Sequence, residues 1–218
     1  MKKLNVVLAL TVVAVFALLS LSPLKAYADT VSMTYENPGG QTTGSDYVYP
    51  YNFSIDGSKT LSPLMCLSFT QEISQGESWQ ATIAQVLGNT QYEEAAYIFS
   101  LASAVGASST TIADAQWANW ELFDSSASNS LPGDVNQTDV TNLLTAAAAY
   151  VNNPSNSNSS LYSKFVVYVP VAGSQPSGDG TPQNMMGDAP APEPGSLILL
   201  GTGMFGLATF VYRRKRIA

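Results

Sequence analysis

A chain of 218 residues with 16 acidic side chains, nine basic ones and no histidine carries a formal net charge of −7. Between Asp29 and Ala189 the only cations are Lys59 and Lys164, and so acidic a surface repels nucleic acid and anionic lipid. Without an imidazole to act as base, a cysteine–histidine hydrolase is excluded as well.

The chain opens with Lys2 and Lys3, followed by an apolar run from Val6 to Leu19 that only Thr11 interrupts. Ala26-Tyr27-Ala28 then supplies the small-x-small pattern of a secretory cleavage site, with Ala26 and Ala28 as the small residues. Residues 1–28 are read as a signal peptide, and cleavage after Ala28 leaves Asp29 as the new N-terminus. No cysteine lies near that site, so lipoprotein processing is not expected.

Residues 29–172 are long enough for one exported domain with a sizeable core. Tyr47, Tyr49, Tyr51, Phe53 and Ile55 alternate with Val48, Pro50, Asn52 and Ser54, the period of a strand. Pro50 points to an edge or a bulge within it. "PLMCLSF" around Cys66 and "SWQATIAQV" around Trp79 read as further strands. The period then changes to helical spacing over Gln91–Val105 and Thr110–Asp124. In "GDVNQTDVTNLL", Asp134 and Asn136 stand at positions 1 and 3 of a calcium loop. Asp139 falls where glycine is needed and Thr145 where an acid is needed, so no metal is expected. A turn and a third helix, capped by Thr138 and running to Asn152, account better for that stretch. Tyr162–Ala172 returns to strand. The expectation is an α+β domain: strand-rich first, three central helices, then a return strand.

Residues 173–190 are dominated by Gly, Ser, Pro, Gln and Asn and read as a linker. Residues 191–218 follow as a distinct tail. Pro192-Glu193-Pro194 precedes an uncharged apolar stretch, 195–212, about long enough to span a thin bilayer. Arg213, Arg214, Lys215 and Arg216 close it as a cytoplasmic stop. Two prolines cannot join a helix or sheet interior, which keeps Glu193 extended at the membrane surface. These three elements, in this order, closely resemble the PEP-CTERM sorting signal of Gram-negative bacteria. The resemblance implies processing by an exosortase. It also implies an inner-membrane-anchored precursor, and then a place at the cell surface or in an extracellular, biofilm-type matrix.

Cys66 is the only cysteine, and it stands in an exported chain, where cysteines are ordinarily paired or absent. It can be a small buried apolar residue, an intermolecular disulfide partner, a nucleophile or one end of a covalent crosslink. On the second helix, Ala113, Gln116, Trp117 and Trp120 share one side by i, i+3 and i+4 spacing. A buried glutamine there must find hydrogen-bond partners, and neighbouring backbone can supply them.

The Gln-x-Ala-x-Trp pattern of Gln116, Ala118 and Trp120, downstream of a strand cysteine, resembles the thioester domains of bacterial surface adhesins. The likeness runs from about Cys66 to Asp124 and includes "EEAAYIFS" as an intervening helix. Ala115, Asn119 and Met65 stand where those domains carry Thr, Ile and an aromatic residue. The resemblance implies an internal thioester between Cys66 and Gln116, able to acylate an amine on a partner surface.

The resulting expectation is a cell-surface or matrix-associated binding module, with surface polysaccharide or another surface component as partner. It is not an enzyme and needs no cofactor. The alternatives are an exported carbohydrate-active hydrolase and a passive matrix protein. A hydrolase of that class needs two facing carboxylates. Glu93 and Glu94 are adjacent on a helix and cannot face one another, while Glu72 and Glu77 lie in a loop-like stretch. No nucleophile elbow, metal-ligand cluster or phosphate loop appears.

Overall fold

The computed structural model describes residues 30–174, 182–190 and 201. The expected signal peptide with Ala26 and Ala28, and nearly all of the tail 191–218 with its motif, expected span and basic cluster, lie outside the described residues. Among the described residues no helix is long and apolar enough to cross a membrane. One compact unit runs from Tyr27 to Ala189 and holds everything discussed below.

Among the described residues eight strands are formed in chain order: β1 (Val31–Pro38), β2 (Thr42–Thr43), β3 (Asp46–Tyr47), β4 (Tyr51–Ile55), β5 (Ser62–Cys66), β6 (Ser78–Gln85), β7 (Phe165–Pro170) and β8 (Met185–Asp188). Between β6 and β7 come the helices α1 (Thr90–Ala102), α2 (Ser109–Phe123) and α3 (Gln137–Val151). Six strands close an antiparallel barrel in the order β1-β4-β5-β8-β7-β6, while β2 and β3 form a separate hairpin. Closure leaves no unpaired edge among the six, which matters for strands as short as β5 and β8.

Register sorts the side chains. Met33 lies opposite Trp79, Tyr35 opposite Phe53, Tyr51 opposite Leu64, and Cys66 opposite Met185, itself paired with Tyr168. Residues facing one another across a ladder share a face, so these side chains fill the barrel. Phe53 meets Trp79 edge-on at 5.6 Å and lies 5.3 Å from Tyr35. The alternate set, Met65, Met186 and Val167, is equally buried but shares the opposite face. The helices cover it: Asn119 of α2 donates to the Met65 sulfur, and Phe99 of α1 stacks edge-on against Phe165 at 4.9 Å. That double coverage is why β5, β7 and β8 lack a polar alternation.

Each helix begins at a side-chain cap. Asn89 accepts from the Tyr92 N–H at 3.2 Å, Ser108 from Thr111 at 3.0 Å and Asn136 from Thr138 at 2.9 Å. The third of these corrects the expected cap. Thr138 lies inside the first turn, because Asn136 reaches the unpaired N–H first.

The strand-rich part, the helices and the return strand are all present, so the domain is mixed as expected. Three segments differ in detail. The long alternating strand is cut into β3 and β4, with Val48, Tyr49 and Pro50 outside the ladder. The return strand starts at Phe165, because Tyr162–Lys164 is a 3-10 turn. The third difference is the largest: 173–190 is not wholly a linker. Met185–Asp188 fills the gap between β5 and β7 and closes the barrel.

Gly187 shows how tightly that last strand is seated. A Cβ there would run into a Leu64 δ-methyl and come within 3.6 Å of the Tyr168 ring. Gly187→Ala is therefore expected to destabilise the domain by about 1–3 kcal/mol, the usual effect of overpacking. A urea melt would show it as a lower midpoint, and an unchanged midpoint would contradict this seating of β8.

Candidate functional site

Cys66 is the last residue of β5 and is wholly buried. The chain beyond it is held by two hydrogen bonds to the residue before β8. Leu67 N–H donates to the Asn184 carbonyl at 2.9 Å, and Asn184 N–H donates to Ser68 Oγ at 3.2 Å. The β5–β8 pairing thus continues past the ladder and brings residues 66–68 alongside 183–184.

From the other side comes α2. Every residue from Ala113 to Trp120 is buried, including Asp114, Gln116 and Asn119. A helix enclosed this way shows no single apolar stripe, and three polar side chains sit where a surface helix would have none. Gln116 spans two backbone segments: its Nε2 donates to the Cys66 carbonyl at 2.6 Å, and its Oε1 accepts from the Tyr49 N–H at 3.2 Å. Phe69 packs against the rings of both Trp117 and Trp120, at 5.4 and 5.5 Å. The pair Cys66 and Gln116 is thus adjacent in space, 50 residues apart in the chain.

The Cys66 sulfur, however, faces a different amide. Its thiol lies 2.9 Å from Gln183 Oε1 and 3.2 Å from the Ser68 carbonyl, while Ser68 N–H points back at the sulfur at 3.4 Å. Gln183 is also buried, and its Nε2 donates to the Gln71 carbonyl. Sequence reasoning missed Gln183 because it falls in the stretch read as linker. The one signal was Met185-Met186, an apolar pair inside an otherwise polar segment.

Burial pushes the Cys66 thiol up to about 11, with the Trp120 indole N–H and the Ser68 backbone drawing it back part of the way. At neutral pH the group is a thiol and a donor. Trp120 Nε1 favours a charged sulfur, yet it is buried without a hydrogen-bond partner of ordinary geometry among the described residues. A buried indole N–H normally has a partner, so this one has unused capacity.

Gln183 and Trp120 form part of the wall of a cavity of about 420 Å³. Tyr35, Tyr47 and Tyr51 contribute aromatic surface, and Asp46 and Glu72 are its acids. Tyr51 donates to the Tyr47 carbonyl, tying β4 to the β2–β3 hairpin. Burial, with Tyr47 and Cys66 nearby, raises the Tyr35 phenol to about 12, so it too stays protonated. Among the described residues no group of three or more His, Cys, Asp or Glu side chains is placed to hold a metal ion.

Fold and site together define a small barrel-and-helix domain with a buried cysteine between two glutamines. The tail defines how the chain is handled. Residues 190–216 match the PEP-CTERM protein-sorting motif, a stretch that includes Pro192, Glu193 and Pro194 and the cluster Arg213, Arg214, Lys215 and Arg216. The chain thus carries the sorting signal of an exosortase substrate, and the motif implies an exported, membrane-anchored precursor. No curated protein and no solved structure matches the chain.

Proposed function

We propose that the sorted protein is a surface-displayed binding module that attaches to its partner through an internal thioester formed by Cys66 and a buried glutamine. After processing it resides at the cell surface or in the extracellular matrix, where a surface polysaccharide or another surface component bearing an amine is the partner. The observation that carries this reading is the environment of Cys66. The only thiol of an exported chain is buried among glutamine side chains, next to a cavity large enough for a small group. A thioester there stores an acyl group shielded from water, and an amine entering the cavity takes it over. The thiol is then regenerated. Holding thiol and amide in contact replaces a bimolecular encounter with an intramolecular one, which is worth several kcal/mol of barrier.

Intact mass of the exported protein, prepared without reductant, tests the reading. The expected mass is one ammonia below the calculated value, with one methylamine taken up on incubation. Cys66→Ala is expected to show the calculated mass for its sequence and no uptake. A wild-type protein of full calculated mass with an alkylatable thiol would end the thioester reading.

A further inference from the structure

We infer that Gln183, not Gln116, is the glutamine that supplies the acyl group to Cys66, and that Gln116 is a positioning residue. This rests on the thioester reading above and says which amide is consumed.

The two glutamines sit differently. Gln116 presents no amide to the sulfur along any hydrogen bond: both of its polar atoms are engaged by backbone, one by the Cys66 carbonyl and the other by the Tyr49 N–H. It clamps the end of β5 to α2 and to the segment before β4, and losing its nitrogen would release that clamp. Gln183 turns its amide carbonyl to the thiol, with Cys66 Sγ 2.9 Å from Oε1. The carbonyl carbon is one C=O bond, about 1.2 Å, beyond that oxygen. Attack therefore needs a local rotation of two side chains already in contact. The Leu67–Asn184 and Asn184–Ser68 hydrogen bonds fix the two backbones while that happens.

The chemistry needs no further reagent. Sγ attacks the Gln183 carbonyl carbon and the C–S bond forms. The C–N bond of the amide breaks, and the thiol proton leaves on that nitrogen as ammonia. The charge that develops on Oε1 needs a donor in a water-poor site. The Trp120 indole N–H, buried in the same cavity wall beside the Cys66 sulfur and without a hydrogen-bond partner of ordinary geometry among the described residues, can supply it. Aminolysis exchanges nucleophile and leaving group: the amine adds to the Gln183 carbonyl carbon, the C–S bond breaks, and the sulfur takes the proton the amine gives up.

The test reads the acyl position directly in the wild-type chain, which avoids any folding defect of a variant. Methylamine opens a thioester to leave N-methylglutamine, one methylene heavier than glutamine, at the residue that carried the acyl group. After incubation, the protein is denatured and digested, and the labelled peptide is sequenced by mass spectrometry. The label is expected at position 183. A label at position 116 would overturn the inference while upholding the thioester. No label, together with an unreduced wild-type mass, would remove the thioester itself and the inference with it. As a second measurement, Gln183→Ala is expected to abolish the ammonia loss, and its persistence in that variant would also overturn the assignment.

Discussion

Trp117→Ala is expected to lower the stability of the exported domain by about 3–5 kcal/mol, the range for truncating a fully enclosed large aromatic side chain. Trp117 is wholly buried and packs edge-on against Trp120 at 5.0 Å, with the Phe69 ring tilted against both indoles. Removing it leaves a void that Phe69 and Trp120 cannot both fill, since each is tied to a different element. For a domain of this size such a loss corresponds to a fall in melting temperature of between about 6 and 20 °C. Because domains of this kind are stable by only about 5–15 kcal/mol, a large share of the total is at stake. Trp117→Phe is the informative control. The Trp117 indole N–H has no hydrogen-bond partner among the described residues, so exchanging indole for phenyl forfeits volume but no polar contact. Its melting temperature is expected to lie much nearer the wild type. Equal losses for Ala and Phe would mean that the N–H, not the packing, matters there.

The same helix shows which parts of the domain were legible in the residues and which were not. The bounds of α2 follow from local chemistry: Ser108 caps it, and its apolar spacing ends at Phe123. The Gln116–Trp120 pattern also pointed to contact with the strand cysteine, and the Gln116 side chain does reach the Cys66 carbonyl. What local spacing could not show is that α2 is enclosed on all sides, because that depends on α1, α3 and β5 arriving together. β8 is the clearer case. Four residues with two methionines and a glycine carry no period, and their strand character comes from β5 and β7, about 120 and 20 residues away in the chain. Gly187, unremarkable in sequence, is there because Leu64 and Tyr168 leave no room for a Cβ. Gln183 was hidden for the same reason, since it gains a role only after β8 draws the preceding residues against Cys66. β1 was missed on simpler grounds. It follows directly on the stretch read as a signal peptide, and its alternation of Val31, Met33 and Tyr35 with polar residues is short.

Changing Glu193 to Ala, or Pro194 to Ala, is expected to leave the precursor uncleaved in the membrane fraction, with little or no mature protein released or displayed. Both residues fall within the matched sorting motif. Proline on either side of Glu193 removes two backbone donors and disfavours helix at the residues preceding each ring. Pro194→Ala restores a donor at one of those positions and removes the helix-disfavouring ring. Glu193→Ala keeps both prolines and removes only the charge. Comparing the two separates recognition of the carboxylate from recognition of an extended peptide: a block in both variants requires both features, whereas a block in Glu193→Ala alone assigns recognition to the side chain. Immunoblotting of membrane and released fractions reads the outcome as the ratio of precursor to mature chain. Normal processing of both variants would reduce the tail to a plain membrane anchor. The folded domain is expected to melt at the wild-type temperature in both cases, because the altered residues lie beyond the Tyr27–Ala189 unit. A shifted melting temperature would show instead that the motif contributes to the fold it is meant only to deliver.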